Sequence, residues 1–315
     1  MKPSELRCLV ESYLALRDAV GSSLPERKQL LDFVAFAGIR SNGSPVRAEI
    51  ATEWACSSTK AGAAGRARRL TIARGFLSYL RAFYPDTEVP SVGLFPRSRP
   101  LRPHIFSGRE VEGLQAVAMT LDPHRPLCGP TYVALIGLLA SCGLRIGEAL
   151  RLTLADVQLD VEPSILVVRE TKFRKSRLVP LHMSCTKKLQ EYWEKRNKVA
   201  PRSLADPFFL SARHGFLKTG SAMFTFRKLC RRAEVRSARA ERPPTLHGLR
   251  HTFAVRRLES WQRQGIDITT WLPHLSVYMG HAAPENTYWY LTVSPELLGP
   301  AAVLFEHYAT DRGDR

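Results

Sequence analysis

LHGLRHTFAVRRL, residues 246–258, sets His247 and Arg250 three apart and His247 and His251 four apart. On a helix those spacings bring the side chains to a shared face. The His247–His251 spacing is also metal-ligand spacing. No Glu follows His247 as it would in a zinc peptidase, however, and Arg250 between the two would repel a cation. No metal is therefore expected, and His251 reads as a buried, hydrogen-bonded histidine. Downstream, MGHAAPENTYWYL (279–291) places His281 nine residues before Tyr290. On a helix starting at Pro284, Tyr288 and Tyr290 would point about 200° apart, so only one of them can face a site. The other, with Trp289, reads as packing.

Upstream, CGLRIGEALRLTLADV (142–157) carries Arg145 just past a break at Gly143. PTYVALIGLLASC before it predicts a buried helix, and LRIGEALRLTLADVQ after it predicts a continued helical path. SILVV (164–168) and RLVPL (177–181) are short β-rich runs around the polar stretch RETKFRKS, the pattern of a hairpin. That hairpin would present Lys172, Arg174, Lys175 and Arg177. Ser107 with Glu110 three residues on has the form of a capping box, opening a helix through about Leu121. From residue 184 onward the pattern is again mainly helical.

Residues 4–84 read as helices. The last of them, in TKAGAAGRARRLTIARGFLSYLRAFY (59–84), interleaves Arg66, Arg68, Arg69, Arg74 and Arg81 with Leu70, Ile72, Phe76, Leu77 and Leu80. Its apolar side can pack inward while Arg66, Arg69 and Arg74 meet phosphates; a solvated charged face is the equal alternative. PDTEVPSVGLFPRSRPLRP then loses all helical period and reads as an extended basic linker. The expected organisation is a helical DNA-binding domain over 1–88, a linker over 89–104 and a second domain over 105–315. The expected fold class is mainly α with a small β-sheet, α+β, in two domains.

Composition narrows the function class. Hydrophobic residues at 44 % and charged residues at 24 % fit a globular rather than a disordered chain. No apolar run reaches the roughly 18 residues needed to span a bilayer, and the N-terminus lacks the features of a signal peptide. Six scattered cysteines with no CxxC pair argue against a disulfide framework or zinc ribbon and for a reducing cytoplasm. The formal charge is +17, with an excess of +7 in 1–104 and +10 in 105–315. A basic body, as opposed to a basic tail, implies that both domains face nucleic acid.

The four segments, in this order, resemble the catalytic domain of the tyrosine recombinase, or phage integrase, family over roughly 140–295. In that family an Arg follows Gly-Leu, a Lys sits on a hairpin before an Arg-x-x-Pro-Leu strand, His-x-x-Arg is followed by His, and a Gly-His precedes the tyrosine by nine residues. Arg145, Lys172, His247, Arg250, His281 and Tyr290 fall on those positions. The helical N-terminal part resembles the family's core-binding domain in character only. Thr171 and Phe173 stand where the family has glycines around the hairpin lysine, so the turn is expected to differ. Lys175 remains the rival to Lys172, and RSARAERPP (236–244), with Arg239, is a candidate DNA-contacting loop.

The resemblance implies strand cleavage by transesterification through a covalent 3′-phosphotyrosyl link. Arg145 and Arg250 would neutralise the non-bridging oxygens. The Tyr290 hydroxyl, ordinarily ionising near pH 10, would attack, with His247 as the candidate proton acceptor. Lys172 would protonate the departing 5′ oxygen, and His281 would donate to the phosphate or brace the clamp. No cofactor or metal is required. The implied partners are double-stranded DNA at specific sites and further copies of the chain, four active sites being needed for two duplexes. Companion recombinases are a further option, as is movement or resolution of a mobile element. A type IB topoisomerase-like enzyme and a catalytically silent DNA-binding accessory protein are the competing readings. The apolar segment Leu297 to Phe305 could dock in cis or on a neighbour.

Overall fold

The computed structural model describes residues 3–21, 24, 26–59, 61–95, 102–169, 176–200, 206–211, 213–238, 242–281 and 285–292. The chain divides into two compact units, Met1–Pro100 and Leu101–Arg315. Among the described residues no helix is long and apolar enough to cross a membrane. All six cysteines are free.

The first unit holds four helices, α1 (Pro3–Ala19), α2 (Arg27–Ser41), α3 (Ala48–Cys56) and α4 (Ala63–Arg81). Their apolar faces meet around Leu6, Phe33, Trp54, Phe76 and Leu80, all nearly inaccessible to solvent. Val89 and Phe95 from the proline-rich stretch also pack on this core. Residues 96–101 lie outside the described residues.

The second unit is built round α6 (Cys128–Cys142), most of whose side chains are apolar and buried. A helix apolar all round can exist only when covered on all sides. The cover comes from α5 (Gly108–Met119), α8 (Met183–Val199) and α10 (Leu246–Arg263). The Ser107–Glu110 capping box opens α5 as the sequence predicts. Gly143, left-handed at φ 60°, ends α6. Beyond it the expected continuous helix is interrupted. α7 spans only Ile146–Arg151, and Leu154–Asp156 is a turn of 3-10 helix held by Thr153 and Asp156. A three-stranded antiparallel sheet follows in the order β1 (Val157–Gln158), β2 (Ile165–Val168), β3 (Arg177–Pro180). Val168 pairs with Arg177, so β2 and β3 form the hairpin arms. Its tip, residues 170–175, lies outside the described residues. The remaining helices are α9 (Thr219–Arg232), α11 (Ile268–Met279) and the short α12 (Glu285–Tyr288), which passes into a 3-10 turn, Trp289–Thr292.

Candidate active site

Two helices end at the same place. α6 stops at Gly143 and α11 stops at Gly280, both glycines being left-handed. Such endings leave backbone carbonyls without helical partners and with partial negative charge. Two arginines satisfy them. Arg250, on the first half of α10, donates to Gly143 O at 2.6 Å and Met279 O at 2.9 Å. Arg145, just before α7, donates to Gly280 O at 2.7 Å. A guanidinium carries five N–H donors in a fixed fork, so each arginine can be anchored on one side and still offer donors on the other. Arg250 is 1 % exposed, whereas the Arg145 side chain is 32 % exposed and forms the open side of the pair.

Glu148 joins this pair to the sheet. It takes Arg145 Nη1 at 2.7 Å and the Arg145 backbone N–H at 3.0 Å. It also takes Arg177 Nη1 at 3.2 Å and Nη2 at 2.8 Å. Arg177 Nε donates to Tyr278 O at 2.9 Å. Arg177, expected on the hairpin, is thus engaged within the fold. Its guanidinium is turned inward and its donors hold Glu148 and α11 in place. Burial on its own would raise the Glu148 carboxyl, yet Arg177 and Arg145 together hold it at about 2. Because the folded value lies below the ordinary one, this group stabilises the fold above the usual carboxylate range and loses that contribution as pH falls towards 2. The expected size is on the order of 3 kcal/mol. Denaturation of wild type and Glu148→Gln across pH 2 to 7 checks this: their stability difference should shrink steadily below about pH 5. A constant difference would refute it.

Tyr290 lies in the 3-10 turn after α12 and is 2 % exposed, while Tyr288 is 44 % exposed. The two tyrosines do face apart. The Tyr290 hydroxyl lies 3.0 Å from His251 Nδ1. His247 meets the His251 ring edge-on, with centroids 4.6 Å apart. The His281 ring lies nearly parallel to that of Tyr290 at 6.2 Å, and its Nδ1 is 2.7 Å from the buried Thr287 hydroxyl. Arg145, His247, Arg250, His281 and Tyr290 thus form one group. Burial, followed by the Arg250 and Arg145 charges, pushes the imidazoles of His247 and His281 down, the latter to about 4. His251 falls to about 3 through burial and then the neighbouring His247 and Arg250. Burial pushes the Tyr290 hydroxyl up, and Arg250 and Arg145 pull it back. Burial likewise brings Arg250 down to about 10, with Arg145 adding to it. The pocket is cationic, partly desolvated and furnished with a phenol, an arrangement suited to receiving a phosphodiester.

Lys172, Arg174, Lys175 and Arg239 lie outside the described residues. Of the α4 arginines, Arg66 is exposed. Arg69 stacks over the Trp54 ring at 3.9 Å and donates to Trp54 O at 2.8 Å. The side chain thus packs α4 against α3. Arg74 is partly buried, and its Nε has no hydrogen-bond partner among the described residues. Among the described residues no group of three or more His, Cys, Asp or Glu is placed to hold a metal ion. Sequence reasoning missed Glu148 and the partner of His251. The Arg145–Glu148 separation of three on a helix start was the available signal for the first.

The family model described as "Phage integrase family" matches residues 116–296. The putative integrase/recombinase y4rB of Sinorhizobium fredii (strain NBRC 101917 / NGR234) is 36 % identical over 316 residues, covering 98 % of this chain and 99 % of that protein. Among solved structures, the XerH site-specific recombinase bound to palindromic difH substrate superposes with a TM-score of 0.66 at 16 % identity, covering 97 % of this chain and 85 % of that one. The Tn1549 transposon integrase in complex with circular intermediate DNA gives a TM-score of 0.66 at 17 % identity, covering 95 % and 99 %. Likeness at that level of identity establishes a shared fold.

Proposed function

Because the chain belongs to the phage integrase family, and so is a site-specific recombinase of the tyrosine class, we propose that Tyr290 is its nucleophile and that Arg145 and Arg250 clamp the scissile phosphate. The observation that carries this is the buried Tyr290 hydroxyl, hydrogen-bonded to an imidazole inside a cluster of two anchored guanidiniums. Tyr290 Oη attacks phosphorus, the P–O5′ bond breaks, and a 3′-phosphotyrosyl link stores the bond energy until a 5′ hydroxyl from another strand reverses the step. The guanidiniums neutralise the charge that grows on the non-bridging oxygens. Lys172 on the hairpin protonates the departing 5′ oxygen. His281, its Nδ1 engaged by Thr287, presents Nε2 to the phosphate, and His247 lines the site against the ring of His251.

The substrate is double-stranded DNA bearing specific recombination sites, with Arg66 and the hairpin cations Arg174 and Lys175 among the phosphate contacts. Exchange between two duplexes uses four active sites, so the working form on DNA is a tetramer, alone or with companion recombinases. Likeness to a transposon integrase supports a role in the movement or resolution of a mobile element. Such an enzyme works in the cytoplasm, where the DNA is.

A nicked suicide duplex carrying the repeats that flank the chain's own gene tests this. Wild type should trap a covalent DNA–protein adduct that peptide mapping places on Tyr290. Tyr290→Phe should form none, a loss of at least about 10³-fold, because phenylalanine has no oxygen to attack with. An adduct mapped to Tyr288, or one that survives in the phenylalanine variant, overturns the assignment.

A further inference from the structure

His247 and His251 lie one helical turn apart on α10, and only one of them reaches the tyrosine. His251 Nδ1 is 3.0 Å from the Tyr290 oxygen. His247 instead meets the ring of His251 edge-on. His251 is further fixed by the Trp289 ring, 5.5 Å away and tilted at 64°. Of the two histidines, the one hydrogen-bonded to the reacting oxygen is therefore the one that follows Arg250, not the one that precedes it.

We propose that His251 is a further catalytic residue, holding the Tyr290 hydroxyl and taking its proton as the oxygen attacks phosphorus. This rests on the reading of Tyr290 as nucleophile. In the forward step the Tyr290 Oη–P bond forms, the P–O5′ bond breaks, the phenolic proton passes to His251 Nδ1, and Lys172 gives a proton to O5′. In the reverse step the incoming 5′ hydroxyl returns its proton to Lys172 and His251 gives its own back to the phenolate. Nothing is left over, and no cofactor enters.

The setting makes this transfer conditional on DNA. Around His251 stand His247 and Arg250 on its own helix, Arg242 before it, His281 after α11, and Tyr290. Burial and these cationic neighbours keep its ring neutral. Burial likewise keeps the proton on Tyr290. An empty site is thus quiet: the acceptor is unwilling and the nucleophile is protonated. A phosphate seated against Arg145 and Arg250 cancels much of the positive field that opposes charge on His251. As negative charge builds on the phosphate, an imidazolium beside it becomes favourable. Deprotonation is then driven by the bound substrate and not by solvent pH. Acceptance at Nδ1 also requires that the resting proton sit on Nε2.

Single-turnover cleavage of the suicide duplex by wild type, His251→Gln, His251→Asn and His247→Gln tests this, with DNA retention and thermal midpoint measured on the same samples. His251→Gln should cleave about 10²- to 10³-fold more slowly. A substrate with sulfur in place of the bridging 5′ oxygen, which leaves without a proton, should not restore it. A fluorinated tyrosine at 290, which ionises more readily, should recover much of the loss. Nitrogen-15 NMR of free wild type should report Nε2–H at His251, a readout that needs no variant to fold. Cleavage by His251→Gln within threefold of wild type overturns the proposal, as does equal depression with the fluorinated tyrosine, an Nδ1–H tautomer, or the same rescue pattern in His247→Gln. If wild type itself forms no adduct at Tyr290, the reading of the nucleophile fails as well, and the two failures stay distinguishable.

Discussion

Arg250→Lys is expected to slow strand cleavage about 10³-fold and to destabilise the second unit by about 3 kcal/mol. The substitution keeps the charge, so the loss isolates geometry. Arg250 is fully buried and spans two acceptors, Gly143 O at 2.6 Å and Met279 O at 2.9 Å, which belong to different helices. A planar fork reaches both while presenting its remaining edge to the site; an ammonium on a single stem concentrates its donors at one point. At least one helix-end carbonyl would lose its partner in a buried setting, costing about 1–3 kcal/mol. The site already works against a cation here, since burial and Arg145 bring Arg250 down to about 10. A lysine, which gives up its proton more readily than arginine, would suffer more from the same surroundings. Denaturant midpoints and single-turnover cleavage measure the two effects. A variant that cleaves within tenfold of wild type would mean that charge alone suffices and that the anchoring carbonyls are incidental.

The same geometry explains which parts of the site could be read from the chain. α4 is legible from its apolar face, α5 from its capping box and α6 from an apolar run that must be covered on all sides. The hairpin arms are legible because β-branched runs alternate around a polar tip. Arg145, His247, Arg250, His281 and Tyr290 could be picked out because their spacing repeats a family pattern. Their tertiary partners could not. Nothing local to Arg177 says that its guanidinium turns back to Glu148 and Tyr278 O, because those partners are 29 and 101 residues away. Arg69 looked like its neighbour Arg66, but α3 places Trp54 beneath one and not the other. The helical path past Arg145 was overextended for a related reason. Thr153 and Asp156 close a local turn that competes with the helix, and the chain must enter β1 at Val157. His251 was identified as buried and hydrogen-bonded, but its partner lies 39 residues further on, in a turn whose position only the fold decides.

Gly143→Ala should cost more than any other single methyl added at a left-handed glycine of this unit, about 3–4 kcal/mol, and should slow cleavage sharply. Two costs add. At φ 60° an L side chain is strained by about 1–2 kcal/mol. The new Cβ would also lie 2.3 Å from Phe253 Cδ1 and 3.0 Å from its Cγ. Phe253 cannot yield easily, because it is stacked on Tyr278 at 5.6 Å and packed among the side chains between α10 and α11. Either the ring moves, disturbing α11 and with it Met279 and Gly280, or the Gly143 backbone moves, taking away the carbonyl that Arg250 holds. Both routes unseat a guanidinium, since Arg145 depends on Gly280 O. Gly265→Ala supplies the comparison. Gly265 is also left-handed, at φ 67°, but an added Cβ there meets nothing within 4 Å. It should cost only the conformational part, about 1–2 kcal/mol, and leave the cleavage rate unchanged once the protein is folded. The difference between the two variants is the contact with Phe253. If both lose the same stability and Gly143→Ala still cleaves at the wild-type rate, then the end of α6 does not govern the position of Arg250, and the clamp owes its geometry to some other part of the fold.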